Sequence, residues 1–312
     1  MRLSRKLLMT HSDLRWYSNH ARQARAGVSI LVGALLLAAC SRWPLKDNKS
    51  SEHDLVEALL LDSPHTGSSQ RSVRVRSQSS NKRIGDAFVN GADDHVHHLR
   101  LESVDRCLST QGLPAESHHP AHPTNYDQRM RLDANGKPVL NIPMIIVLHE
   151  TVVSEEETLN LFRTPHNDDD SQASYHVIIP EDGRRVRIVA DANRAFGAGN
   201  SAFQNYSIRL KPGAAGSINN IALHLSLVSP SDGRGEAPTH SGYSDRQYKS
   251  AAGQVLLWQA HYGIPLNRLT THRAVDQSKT RTDPRSFAWD QFLAVHRQIA
   301  RHCGLQALAW SR

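Results

Sequence analysis

A chain of 312 residues can hold one large domain or two small ones. Its hydrophobic share of 39%, aromatic share of 6% and mean hydropathy of −0.50 exclude a continuous core along the whole length. A formal charge of +7 and a pI near 9.5 favour a polyanionic partner: nucleic acid, anionic lipid or an acidic wall polymer.

In chain order, the first signal is Arg22 and Arg25 ahead of the apolar stretch "AGVSILVGALLLAAC", which ends at Cys40. It is too short to span a bilayer comfortably as a helix. A basic flank, a short apolar core and small residues before a cut site describe a secretory signal over residues 1–39. The alternative is an uncleaved signal anchor. "LAAC" resembles a bacterial lipobox, whose cysteine becomes the lipid-modified first residue of the mature chain. That resemblance implies lipidation at Cys40, and Ser41 rather than aspartate after it implies a periplasm-facing lipoprotein of the outer membrane.

Residues 40–126 read poorly as a core. "SPHTGSSQRSVRVRSQSSNKR", at 63–83, contains no acidic residue and resembles a solvated tether. No aromatic residues interleave its arginines, so it lacks a nucleic-acid stacking platform, and nucleic acid is not expected as a partner. Short helices are predicted around Asp54–Leu61 and from about Asp94 to Leu108, with Gly112 beyond. "HVHH" at 95–98 lacks a thiol or carboxylate at ligand spacing, so adventitious metal binding is the most it suggests. In an exported chain Cys107 and Cys303 are permitted to pair, but Cys303 extends an apolar helical stripe with Phe292, Val295 and Ile299, which favours two unbridged, buried thiols.

From residue 127 to 312 the pattern changes to a self-sufficient α/β domain, a mixed central β-sheet flanked by helices. "MIIVLHET" at 144–151 predicts a strand over 140–149 buried on both faces, ending in His149. Ser154 and Glu157 form a capping box for the next helix. "SYHVIIPEDGRRVRIV" predicts two strands around a turn at Glu181-Asp182-Gly183, and "NNIALHLSLVS" a strand near 220–228. A capping box at Ser244 and Gln247 opens a helix whose buried face is Tyr248, Ala251, Val255, Trp258 and Tyr262, stopped by Gly263. A last helix is predicted from Phe287 to about Cys303.

"TTHRAVDQSKTRTDPRSFAWDQF" places His272 at the start of a loop and Asp283 at its end. With His149 they would make a two-histidine, one-carboxylate set, and three protein ligands leave the fourth position of a catalytic zinc open. The ordered set of the strand ending at His149, "SYHVIIPEDG", "AFGAGNS" at 195–201, "NNIALHL", "THRAVD" and "TDPRSFAWDQF" resembles the zinc-dependent N-acetylmuramoyl-L-alanine amidases of the type-2 family, over about 135–300. The resemblance implies zinc bound by His149, His272 and Asp283, and a peptidoglycan or muropeptide substrate cleaved between N-acetylmuramic acid and L-alanine. A non-catalytic peptidoglycan-binding module of the same fold is the alternative.

Three positions depart from the family pattern. His224 stands where some members have a catalytic glutamate, while others have a tyrosine before the hairpin histidine, here Tyr175 before His176. Tyr175 is therefore the expected supporting residue, with His224 second and a packed strand aromatic the alternative for Tyr175. Arg281 stands where the family has an oxyanion-stabilising lysine, with Lys279 competing for the role; a guanidinium spreads its charge over a planar fork. Gly197 stands where many members have histidine. His176 is expected to support the site or pack beneath it rather than bind metal, and His240 to be a loop residue before a helix cap.

Overall fold

The structure is a computed structural model describing residues 91–235 and 237–310. The signal and lipidation site at Cys40, the helix expected around Asp54–Leu61 and the basic segment at 71–83 lie outside the described residues, as do the side chains of His95 and His98.

Helix α1 (Gly91–Thr110) is followed by short strands β1 (Glu116–His118) and β2 (Tyr126–Gln128). Strand β3 (Ile145–Glu150) is buried throughout. It starts later than the apolar run suggested, because Pro143 has no N–H to give a ladder. Helix α2 (Glu155–Arg163) opens on the expected Ser154/Glu157 capping box. Strands β4 (Val177–Ile179) and β5 (Arg185–Arg187) pair antiparallel around the predicted turn. Strands β6 (Asn193–Ala195) and β7 (Ala222–Leu227) follow. Helix α3 (Asp245–Tyr262) begins at the Ser244/Gln247 box and ends at Gly263, whose φ of 65° is the left-handed stop that glycine accommodates. Strand β8 (Leu269–Thr271), helices α4 (His272–Val275) and α5 (Trp289–His302), and the final turn α6 (Gln306–Ala309) complete the chain.

Among the described residues the main sheet has six strands in the order β1-β5-β4-β7-β3-β8, parallel except for the β4–β5 pair; β2 and β6 form a small antiparallel sheet. Alternation divides the strands between faces. Ile146, Leu148, Leu223 and Leu225 pack with Tyr248, Val255 and Trp258 of α3 and Phe292 and Ile299 of α5. On the other face, Ile145, Val147 and Ala222 pack with Ile218 and Val275. His149 continues the Ile145–Val147 face, and His224, opposite Val147 in the register, shares it. Tyr262, expected on the buried stripe of α3, is instead 38% exposed. Among the described residues no helix is long and apolar enough to cross a membrane.

Two expectations are corrected. The boundary drawn at residue 126 falls inside one continuous fold of the described residues. Val104 and Leu108 of α1 enter the helical core, and β1 adds an edge strand to β5. Cys107 and Cys303 are joined in a disulfide, not left as separate thiols. Cys303 does pack against the core, as its stripe implied, yet at the end of α5 it also meets α1.

Candidate metal centre

Parallel strands β3 and β8 are neighbours, with Leu148 opposite Thr271. Their carboxyl ends therefore deliver His149 and His272 side by side, the usual place for a site in such a sheet. Asp283 arrives from the loop after α4, where its carbonyl accepts a hydrogen bond from the backbone N–H of Arg273. One donor atom from each of His149, His272 and Asp283 lies within 4.8 Å of the others. His149 Nδ1 is 3.3 Å from Asp283 Oδ2, and His272 Nδ1 is 3.0 Å from Asp283 Oδ1. His149 is wholly buried, whereas the side chains of His272 and Asp283 keep 10% and 12% exposure, so the cluster opens on one side only.

The electrostatics suit a cation. Burial, the charge of His272 and the Arg281 guanidinium push His149 down to about 4, against the pull of Asp283, leaving it the neutral imidazole that a metal requires. Burial pushes the Asp283 carboxyl up, but the charge of His272 and the close approach of both imidazoles outweigh it, holding it well below the usual carboxylate range. His149 Nδ1 is buried and makes no hydrogen bond of adequate geometry although it faces the other two donors. A buried polar nitrogen with no partner is costly. Two imidazoles, a carboxylate and one open side fit a zinc ion.

The ring of Tyr175 stacks on His149 at 4.6 Å between centroids and meets Phe162 edge-on. The tyrosine thus lies against a ligand candidate. Arg281 is exposed, yet its charge reaches His149. Its backbone is fixed by Asp276, whose carboxylate accepts the N–H groups of Ser278, Thr280 and Arg281 and the Ser278 hydroxyl. Lys279, in the same loop, is exposed and holds a positive φ of 60°. His224 is fully buried beside His149, with Nδ1 2.9 Å from His149 Nε2, the ring nitrogen remote from Asp283. That contact is behind the ligand. His176 Nδ1 in turn accepts the backbone N–H of His224.

Sequence reasoning missed a buried ion pair beside the ligand candidates. Glu150 follows His149, Arg285 follows Asp283-Pro284, and their side chains are 0% and 4% exposed. Glu150 Oε1 accepts from Arg285 Nε and from its backbone N–H, and Oε2 accepts from Arg285 Nη2, Ser229 Oγ and Tyr243 Oη. Arg285 also donates to the carbonyls of Gly233, Gly235 and Ala237. His240, expected to be an ordinary loop residue, puts Nε2 3.2 Å from Glu150 Oε2 with its side chain buried. Arg129, also missed, donates to the carbonyls of Asp191, Asn219, Asn220 and Ala222 beneath β7. The available signal for the ion pair was a charged residue within two positions of His149 and of Asp283.

Residues 140–286 match the sequence profile of a family described as N-acetylmuramoyl-L-alanine amidase. No curated protein sequence matches the chain. Similar solved structures include a selenomethionine derivative of AmpD, at 22% identity, covering 59% of this chain and 94% of that one with a TM-score of 0.41. The endolysin amidase LysCS from Clostridium intestinale is similar at 20% identity, covering 59% and 96% with a TM-score of 0.35. AmiD from E. coli, solved with anhydro-N-acetylmuramic acid-L-Ala-D-gamma-Glu-L-Lys, is similar at 18% identity, covering 49% and 57% with a TM-score of 0.40.

Proposed function

We propose that the chain, whose residues 140–286 match the profile of an N-acetylmuramoyl-L-alanine amidase family, hydrolyses the amide between N-acetylmuramic acid and L-alanine, in peptidoglycan or soluble muropeptides, with zinc held by His149, His272 and Asp283. The observation that carries the metal assignment is the convergence of these donors within 4.8 Å, with His149 Nδ1 buried and facing the Asp283 carboxylate at 3.3 Å. Bound there, zinc would supply Lewis acidity toward a substrate carbonyl and a lowered pKa for a water molecule.

The chain's own residues do the rest. Tyr175, held against His149, offers a hydroxyl that hydrogen-bonds the substrate carbonyl or orients the attacking water. Arg281, an exposed cation in the loop that leads to Asp283, stabilises the developing oxyanion, with Lys279 of the same loop competing for the role. The products are a glycan fragment and a stem peptide with a free N-terminal alanine.

The same reading places the enzyme at the outer membrane, facing the periplasm, on a lipid at Cys40. The secretory signal supports this placement, and so does the Cys107–Cys303 disulfide, since such bridges persist in oxidising compartments.

The test is incubation of the purified chain with sacculi and with soluble muropeptides, with chelator and with zinc restored, reading released fragments by mass spectrometry. Chelator-sensitive release of peptides with free N-terminal alanine is expected, and substitution of both His149 and Asp283 should abolish it. Zinc binding without cleavage of either substrate would replace this reading with a peptidoglycan-binding module. Turnover that survives the double substitution would refute the metal site.

A further inference from the structure

A histidine that offers Nδ1 to a metal must carry its single proton on Nε2. In this chain His149 Nδ1 faces His272 and Asp283, so the proton belongs on the far side of the ring, in the buried interior. A buried N–H needs an acceptor. The atom it meets is His224 Nδ1, 2.9 Å away.

We propose that His224 is a positioning residue for the metal: it accepts the Nε2 proton of His149, fixing the tautomer and ring orientation that leave Nδ1 free to bind zinc, and Gly197 is glycine to make room for it. A metal-bound histidine usually gives its second N–H to a carboxylate, a carbonyl or water. Here a second imidazole takes that place. A Cβ at position 197 would come 2.5 Å from His224 Nδ1 and 2.6 Å from its Cγ, closer than nonbonded atoms approach. The acceptor's own alignment is set from below. The backbone N–H of His224 donates to His176 Nδ1 at 3.0 Å, the His176 ring lies nearly parallel to that of His224 at 18°, and His176 Nε2 is 3.2 Å from the carbonyl of Asn193. Accepting at Nδ1 leaves the His224 proton on Nε2, a buried nitrogen to which the described residues give no hydrogen-bond partner. On this geometry His224 acts through His149 and is not the group that handles the substrate.

The inference rests on zinc occupying the His149–His272–Asp283 cluster, so the experiment separates the two. The full chain, stripped of metal, is titrated with zinc against a chromophoric chelator, and each variant's fold is followed by circular dichroism. His224→Leu removes the acceptor and should weaken zinc by about 10- to 100-fold. His224→Asn, which sets an amide oxygen near the Nδ1 position, should recover most of that loss. Gly197→Ala should weaken zinc like His224→Leu, but cost nothing further when added to His224→Ala, since the ring it displaces is then gone. If the unsubstituted chain binds no zinc, the metal reading falls and this inference with it. If the unsubstituted chain binds zinc and the folded variants bind it equally well, or Asn is as poor as Leu, the positioning role alone is refuted.

Discussion

Arg285→Met tests how the two ligand-bearing segments are held together. The substitution keeps an unbranched apolar stem but removes the guanidinium from Glu150, a carboxylate with no side-chain exposure. Glu150 would keep the backbone N–H of residue 285, the Ser229 and Tyr243 hydroxyls and His240, while the carbonyls of Gly233, Gly235 and Ala237 would lose their donor. Removing one partner of a buried pair costs about 3–5 kcal/mol, mostly because the other charge stays buried. The retained hydrogen bonds put the expected loss at the lower end, about 3 kcal/mol. Equilibrium urea unfolding in the presence of a chelator measures it without the stabilisation that bound metal adds. Adding Glu150→Gln removes the stranded charge and keeps an acceptor for the hydroxyls, so the double variant should be more stable than Arg285→Met alone. Zinc affinity should also fall in the single variant, because Arg285 ties the Asp283 segment to the end of the His149 strand. A single-variant loss below about 1 kcal/mol, or a double variant no better than the single, would refute this account.

Reduction of Cys107–Cys303 should destabilise the domain while leaving zinc affinity unchanged, because the bridge joins α1 to the end of α5 and touches no ligand candidate. Closing a separation of 196 residues corresponds to about 5 kcal/mol of lost unfolded-state freedom on the chain-entropy account; a urea midpoint insensitive to reductant would refute it. His296, buried with Nε2 2.8 Å from Gln259 Oε1, is pushed down to about 4 by burial and by Arg297. Between pH 6.5 and 4 the unfolded chain binds more protons there, so stability is complete above that window and lost as pH falls through it, by about 3 kcal/mol. In chelator, His296→Gln should flatten that dependence relative to the unsubstituted chain; identical pH profiles would count against it. Asp276→Ala frees the loop that carries Arg281, so turnover of muropeptide should fall by about 10- to 100-fold with zinc affinity little changed. Equal loss of both would show that the loop serves the metal instead.

The ligand candidates were legible through the ordered set of motifs that resembles the amidase family, since taken alone the run ending in His149 also suits a strand that simply exits the sheet. His149 ends an apolar run that suits a strand buried on both faces, and His272 and Asp283 bracket a loop between a strand and a helix. The capping boxes at Ser154 and Ser244 and the stop at Gly263 were legible because their partners lie within one turn. The N-terminal boundary failed because composition was the guide. Helix α1 is polar on most of its length, and among the described residues Val104 and Leu108 carry it into the core. The disulfide partners are 196 residues apart, beyond the reach of any periodicity.

The residues that hold the ligands in place share that long reach, yet they were not without trace. Glu150 and Arg285 are 135 positions apart, and His149 and His224 are 75. Read alone, His224 sits at the third position of the strand segment "ALHLSL", where every side chain is buried. A strand buried on both faces has no solvent edge on which to place an imidazole, so a histidine there must find a partner within the fold. The same holds for Glu150 at the end of an apolar strand and for Arg285 two positions beyond a ligand carboxylate. A polar residue where the pattern allows only apolar ones is thus evidence for a second polar residue that the pattern cannot name. In this domain those second residues converge beside His149 and Asp283, where a metal ligand needs its geometry fixed.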